Sequence, residues 1–335
     1  MRTMTIALAA ALAAVAQDHP KKKVICTLPV LQSIAQELGG EDIEATSLSK
    51  PDQDPHFVSP TPTLMKRLRE AELFIELGMQ LELWADEVAN GSGNPRIQKG
   101  ARGRLVASLD IPREEVPKVL DRSQGDVHPE GNPHLWLDPL RVRLVAKNIA
   151  AGLKTLLPDR AAAIDERLKK FQARIDQAIF GAELLKEVDA APLGRRAIDG
   201  TLHAWLEEKK LTDKVGGWLK KAAPLRGQKV VEFHKTWVYL SKLFGFEIVG
   251  SVEPKPGIKP GPKHLQELEE TIKGKGIRII LVENYQDLAN PRHLADRTGA
   301  RVAVVPTQPG GEPGTDDYVK LIDHVLDRML EAGRP

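Results

Sequence analysis

Val24-Ile25-Cys26-Thr27-Leu28-Pro29-Val30 is a short apolar run that leads straight into the helical spacing of residues 31–38, closed by Gly39-Gly40. A buried strand over 24–30 followed by a helix that ends on glycine is the unit from which the rest of the chain is built. A second strand is predicted at 43–48, then a Pro- and Asp-rich loop over 51–62. The alternation continues with a helix over 64–71, a strand over 73–78 ending at Gly78, a helix over 81–90 and a strand over 105–109. Residues 110–133 are polar and contain prolines, which predicts a loop. Strands that alternate with helices at this spacing pair in parallel, with helices on both faces of the sheet.

The same plan returns later in the chain. Strands are predicted at 229–233, 247–251, 277–283 and 302–306, with helices at 235–244, 264–273, 291–299 and 317–331 and a Pro-rich loop at 254–262. Between the two halves, Pro158-Asp159 opens a helical pattern that runs to about Val188. Its residues Ile164, Leu168, Phe171, Ile175 and Ile179 recur at helical steps and charged residues fill the opposite side. A helix of roughly 30 residues is near 45 Å long, enough for a strut. Residues 190–228 read as an extra helical insertion with no evident role. The expected architecture is α/β: two lobes of parallel sheet flanked by helices, joined by one long rigid helix. The boundaries are an N-terminal lobe over 17–157, the linking helix over 158–188 and a C-terminal lobe over 189–335.

Residues 1–16 carry one positive charge, an apolar core and the small-x-small triplet Ala14-Val15-Ala16, the pattern of a secretory signal peptide. The apolar stretch falls short of the about 20 residues that span a bilayer. An exported, soluble protein of the periplasm is expected. The single cysteine, Cys26, has no partner for an internal disulfide and sits inside an apolar strand pattern, so it reads as a core thiol. Lys and Arg number 48 against 46 Asp and Glu, and no basic stripe with interleaved aromatics appears, which argues against nucleic acid as a partner. A monomer is expected.

The chemistry is carried by histidines with stiff surroundings. His134 lies in Gly131-Asn132-Pro133-His134-Leu135-Trp136-Leu137-Asp138-Pro139, His56 in Asp54-Pro55-His56, and His234 in Glu232-Phe233-His234-Lys235-Thr236-Trp237. One neutral imidazole nitrogen from each would fix a divalent ion, with a fourth position for a carboxylate, amide or water. Each histidine follows or interrupts a strand-to-helix connection, and in open α/β sheets ligands gather at the carboxyl ends of the strands. Asp138 is the expected acceptor for the other ring nitrogen of His134, and Glu232 for that of His234. His128, in the same polar loop as His134, reads as solvated rather than as an accessory contact. His203, His264, His293 and His324 sit in helical patterns without metal spacing.

These segments, taken in chain order, resemble the zinc- and manganese-binding proteins of bacterial ABC importers, the cluster A-I solute-binding proteins. The resemblance covers nearly all of the mature chain, and the Asn-Pro-His-x-Trp-x-Asp-Pro segment is specific. It implies two α/β lobes joined by a long helix, metal ligands at His56, His134 and His234, and an ABC permease as partner. The family supplies an aspartate or glutamate as fourth ligand in the loop after the last strand, where this chain has Gln308, with Glu312 nearby. The fourth position therefore stays open between Gln308, Glu312 and water. A His-rich loop carried by many zinc members is missing here, which weakens the case for zinc, while three imidazoles strengthen it over manganese.

Capture of zinc, or alternatively manganese, for a permease is the leading expectation. An exported zinc hydrolase with an open fourth position is the competing one. Against it, no His-Glu-x-x-His helix occurs, and Glu232 and Glu253 are the only glutamates with any base-like placement. An exported structural or adhesive protein that binds metal incidentally is the third.

Overall fold

Why each half becomes a sheet covered on both faces is legible in the strands. In β1 (Lys22–Cys26), Val24 and Cys26 enter one core and Ile25 another. In β5 (Lys229–Glu232) Val230 and Val231 do the same, and in β7 (Ile279–Glu283) Ile279 and Leu281 face one way and Ile280 and Val282 the other. Successive side chains point to opposite faces of a strand, so an unbroken apolar run demands cover on both sides. The computed structural model describes residues 20–117 and 128–334. The expected signal segment, 1–16, lies outside the described residues.

The N-terminal half runs β1, α1 (Pro29–Gly39), β2 (Ile43–Ser47), α2 (Pro62–Leu68), β3 (Leu73–Glu76), α3 (Trp84–Ser92) and β4 (Arg104–Val106). The C-terminal half runs β5, α10 (Val238–Phe244), β6 (Glu247–Ser251), α11 (Pro262–Lys275), β7, α12 (Ala289–Thr298), β8 (Arg301–Val305) and α13 (Tyr318–Gly333). Between them lie α4 (Pro139–Leu156), α5 (Ala161–Phe180), α6 (Ala182–Glu187), α7 (Ala190–Ile198), α8 (Leu202–Glu208) and α9 (Gly217–Lys221). The strands form two sheets of four parallel strands, ordered β2-β1-β3-β4 and β6-β5-β7-β8. In each sheet the chain reverses its direction of winding once, between β1 and β3 and between β5 and β7. Ligands bind outside the carboxyl ends of strands at such switch points.

The first strand ends at Cys26 rather than Val30, because Pro29 takes the first helical position of α1. Proline is pre-set for that position and has no N–H to lose there. Residues 139–156, for which the sequence reading gives no element, form α4, an 18-residue helix. Asp138 caps it by accepting from Leu140 N at 2.8 Å, and Pro139 opens it.

The helix expected over 158–188 is interrupted. After a 3-10 turn at Pro158–Arg160, α5 buries Ile164, Phe171, Ile175 and Ile179 on the predicted face and stops at Gly181. Gly181 has φ 79°, and a Cβ there would lie 2.5 Å from Gly216 Cα. Gly216 N donates to Phe180 O at 2.9 Å, so the two backbones touch where the helix breaks. Residues 190–228 are helical, as expected, in short segments that bury Leu193, Leu202, Leu206, Trp218 and Leu219.

One core runs through both halves. It joins Leu31, Ile34 and Leu38 of α1, Val145 and Ile149 of α4 and the buried face of α5 to Tyr239, Leu321, Val325 and Met329 of the C-terminal half. Separate cores cover the outer faces of the two sheets. The carboxyl-end loops of both sheets are thus held by shared packing.

Candidate metal centre

His56 and His134 are delivered by the same small device. Asp54 Oδ1 accepts from His56 N at 3.0 Å across Pro55 and lies 2.8 Å from His56 Nδ1. Asn132 Oδ1 accepts from His134 N at 3.0 Å across Pro133 and lies 2.9 Å from His134 Nδ1. In each case a short Asx side chain closes a turn on the backbone two residues ahead, and the intervening proline stiffens it. The same oxygen then orients the ring. His234 follows β5, and its Nδ1 lies 2.8 Å from Glu253 Oε2, which also accepts from Gly257 N at 3.1 Å.

Asn132 Nδ2 donates to Lys235 O at 2.7 Å and to Glu115 Oε2 at 2.9 Å, which fixes its amide with the oxygen toward His134. All three Nδ1 atoms therefore face acceptors and carry the proton. The remaining lone pairs sit on Nε2. These rings form a near-equilateral triangle, with centroids 5.2 Å (His56–His134), 5.2 Å (His56–His234) and 5.3 Å (His134–His234) apart. One nitrogen from each lies within 4.8 Å of the others, the grouping with metal-holding geometry among the described residues. His56 Nε2 and His134 Nε2 are buried without a hydrogen-bond partner. A buried polar atom left unmatched costs on the order of 1–3 kcal/mol, and a metal ion between the rings would satisfy both nitrogens. Zn–N bonds of about 2.0–2.1 Å close such a triangle with a small shift of the rings.

The surrounding charges suit a cation. Burial opposes ionisation of Asp54, but its hydrogen bond to His56 and the fields of His56 and His234 outweigh this and hold its carboxyl below the usual range. Burial, then the fields of His56, His234 and His128, push His134 well below the ordinary imidazole value, so it stays neutral. Burial also lowers His234, yet the bond to Glu253 and the fields of Glu283, Glu253 and Asp54 prevail and raise it. Glu283, fully buried at the end of β7, is pushed up to about 7 by burial and accepts from Trp237 Nε1 at 3.0 Å.

Two expected ring partners are displaced. Asp138 does not reach His134: it is committed to capping α4 and to Arg141. Glu232 does not hold His234: it accepts from Trp237 N at 3.2 Å and Ser251 Oγ at 3.3 Å. Asn132 and Glu253 take their places, and Asn132 was recognisable as the second member of a repeated Asx-Pro-His motif. His128, read as solvated, is half-buried, with its ring centroid 5.4 Å from that of His56. Gln308 is buried with Oε1 accepting from Val30 N at 3.1 Å. Glu312 Oε2 lies 2.9 Å from His324 Nε2 and is outside the triad grouping. His264 bonds Ser251 O at 3.0 Å, away from the triad.

The two halves meet tightly around this site. Tyr239 Oη donates to Asn132 O and accepts from Glu114 N at 3.2 Å, while Lys242 pairs with Glu114. Trp136 Nε1 donates to Thr307 O at 2.8 Å, and Tyr318 Oη donates to Trp136 O at 2.8 Å.

A family model described as the periplasmic zinc-uptake complex component A matches residues 24–205 and 207–332. Among curated proteins, the zinc-binding protein TroA of Treponema pallidum is 23% identical, the match covering 93% of this chain and 89% of TroA. The manganese ABC transporter substrate-binding lipoprotein PsaA of Streptococcus mitis is 21% identical over 95% of this chain and 91% of PsaA. The zinc-binding protein AdcA of Streptococcus pyogenes is 24% identical over 85% of this chain, which spans about half of AdcA, 50%. A crystal structure of ZnuA superposes with a TM-score of 0.70 at 19% identity, covering 94% of this chain and 100% of that one, a likeness of fold.

Proposed function

The chain belongs to the family of periplasmic zinc-uptake complex component A proteins, and from that membership we propose that it captures a divalent transition metal, zinc above manganese, and delivers it to an ABC permease. The ligands in this reading are His56, His134 and His234. The observation that carries it is the triad itself: Nε2 lone pairs converging, two of them buried without a partner, each ring locked from behind through Nδ1. An imidazole-rich donor set favours zinc, whereas manganese sites favour more carboxylate oxygen. TroA and AdcA bear zinc in their names and PsaA manganese, so both metals belong in the test.

The reading is of a carrier rather than a hydrolase. Glu232 and Glu253, the candidate bases, are both tied to other groups. Export to the periplasm by residues 1–16, a monomeric state, and a division into lobes 17–157 and 189–335 with 158–188 between them complete the proposal. Among the described residues no helix is long and apolar enough to cross a membrane. The test is metal content and competition binding on stripped protein reloaded with zinc or manganese, beside a variant with all three histidines changed to alanine. One tight zinc per chain, lost in the variant, is expected. Stoichiometric metal retained by the variant, or turnover of an ester substrate by the zinc-loaded protein, would sink the assignment.

Acid should weaken capture in a defined order. Protons compete with the ion for imidazole, and a histidine with a raised pKa is protonated first as pH falls. His234 is the raised one and His134 the lowered one. Zinc affinity should fall below neutral pH with His234 as the leading proton acceptor. Changing Glu253 to Gln removes the main support for its charge and should move that fall to lower pH. An affinity flat from pH 7.5 to about 5.5, where ordinary imidazoles titrate, would contradict this.

A further inference from the structure

Three imidazoles leave one corner of a tetrahedral shell, and both protein groups suggested for it from the sequence are engaged elsewhere, Gln308 with Val30 and Glu312 with His324. His128 stands closer to the need. Its ring centroid is 5.4 Å from that of His56, which puts it beside that ligand and outside the 4.8 Å grouping of the triad, and its Nε2 is buried. The turn that presents it is pinned. Gly131 N donates to His128 O at 3.1 Å, Asn132 N to Glu114 O at 2.8 Å, and Arg113 pairs with Glu130 at 2.7 Å. Gly131, at φ 103°, lies so near Glu114 O that a Cβ would sit 2.6 Å from it.

Building on the carrier reading above, we propose that His128 is the fourth ligand, so that the ion is held by four imidazoles in place of three and a carboxylate. Four neutral donors leave the charge of a divalent ion uncancelled within the shell. Asp54 and Glu253, hydrogen-bonded to the rear nitrogens of His56 and His234, place two carboxylates immediately outside it. Such a shell selects zinc over manganese by donor type, since imidazole suits the former and oxygen the latter. It also accounts for a glutamine standing where an acidic ligand would be expected: a fourth imidazole nitrogen makes the acid unnecessary.

The experiment is zinc competition against a chromophoric chelator for wild type, His128→Ala, His128→Gln and His56→Ala, with X-ray absorption at the zinc edge of the loaded wild type. Loss of His128 should weaken zinc by at least about tenfold and narrow the preference over manganese. The absorption spectrum should fit four imidazole nitrogens. Wild-type affinity in both His128 variants, with affinity lost in His56→Ala, or a fit to three nitrogens and an oxygen, would overturn His128 and leave the three-histidine carrier standing. Absence of stoichiometric zinc from wild type would overturn the carrier reading itself, and this proposal with it.

Discussion

Changing His134 to alanine should lower zinc affinity by on the order of a hundredfold or more, with the metal-free fold intact. Structural zinc in small peptides is worth about 10–16 kcal/mol over a full shell, so one ligand of four carries about 3 kcal/mol, or two decades. His134 is the strongest choice for the test because it is 1% exposed and its Nε2 has nowhere else to turn. Removing that orphaned nitrogen offsets the loss of the Nδ1 bond to Asn132, so metal-free stability should move by only about 1 kcal/mol. What vanishes is stabilisation by the ion, worth about 2.7 kcal/mol when free metal is a hundred times its dissociation constant. Melting with and without zinc reads both quantities at once. An unchanged zinc-induced shift in the variant would remove His134 from the ligand set.

The second large effect is on the fold. Trp136 is fully buried, donates to Thr307 O beyond β8, and accepts through its carbonyl from Tyr318 Oη at the start of α13. Its ring also lies 5.3 Å from that of His134. Trp136→Ala should cost about 3–5 kcal/mol, from lost apolar burial and the cavity left behind. Trp136→Phe keeps most of the bulk and surrenders the bond to Thr307, for about 1–2 kcal/mol. Because the side chain ties a loop of the N-terminal half to the last loop of the C-terminal half, the alanine variant should also loosen zinc. Denaturant midpoints for the two variants measure the first part. A loss under about 1 kcal/mol for the alanine form would show that the site relaxes around the missing ring and that the tie is not structural.

Much of this molecule was legible along the chain. Unbroken apolar runs such as those of β1 and β7 require cover on both faces, and their alternation with helices leads to parallel sheets whose carboxyl ends gather the connecting loops. Proline before His56 and His134 marked rigid delivery of two side chains. The signals of helix α4 are local too, in Asp138-Pro139 and the helical spacing of Val142, Val145, Ile149 and Leu153. Such features are local: period, caps and turns depend on neighbours within a few residues.

The remainder depended on contacts between distant segments. Asp138 lies close to His134 in sequence yet serves the first turn of α4, while Glu253, remote from His234 in the chain, reaches its ring from beyond β6. The break after α5 arises because Gly216 packs against Gly181, which helical periodicity cannot register. His128 looked solvated because its own neighbours are polar, and only the fold of its loop against Glu114 carries it to His56. Sequence alone determined which residue types were available and how stiffly each was held. Tertiary structure decided which nitrogens and carboxylates meet, because that depends on how two sheets pack about a shared core.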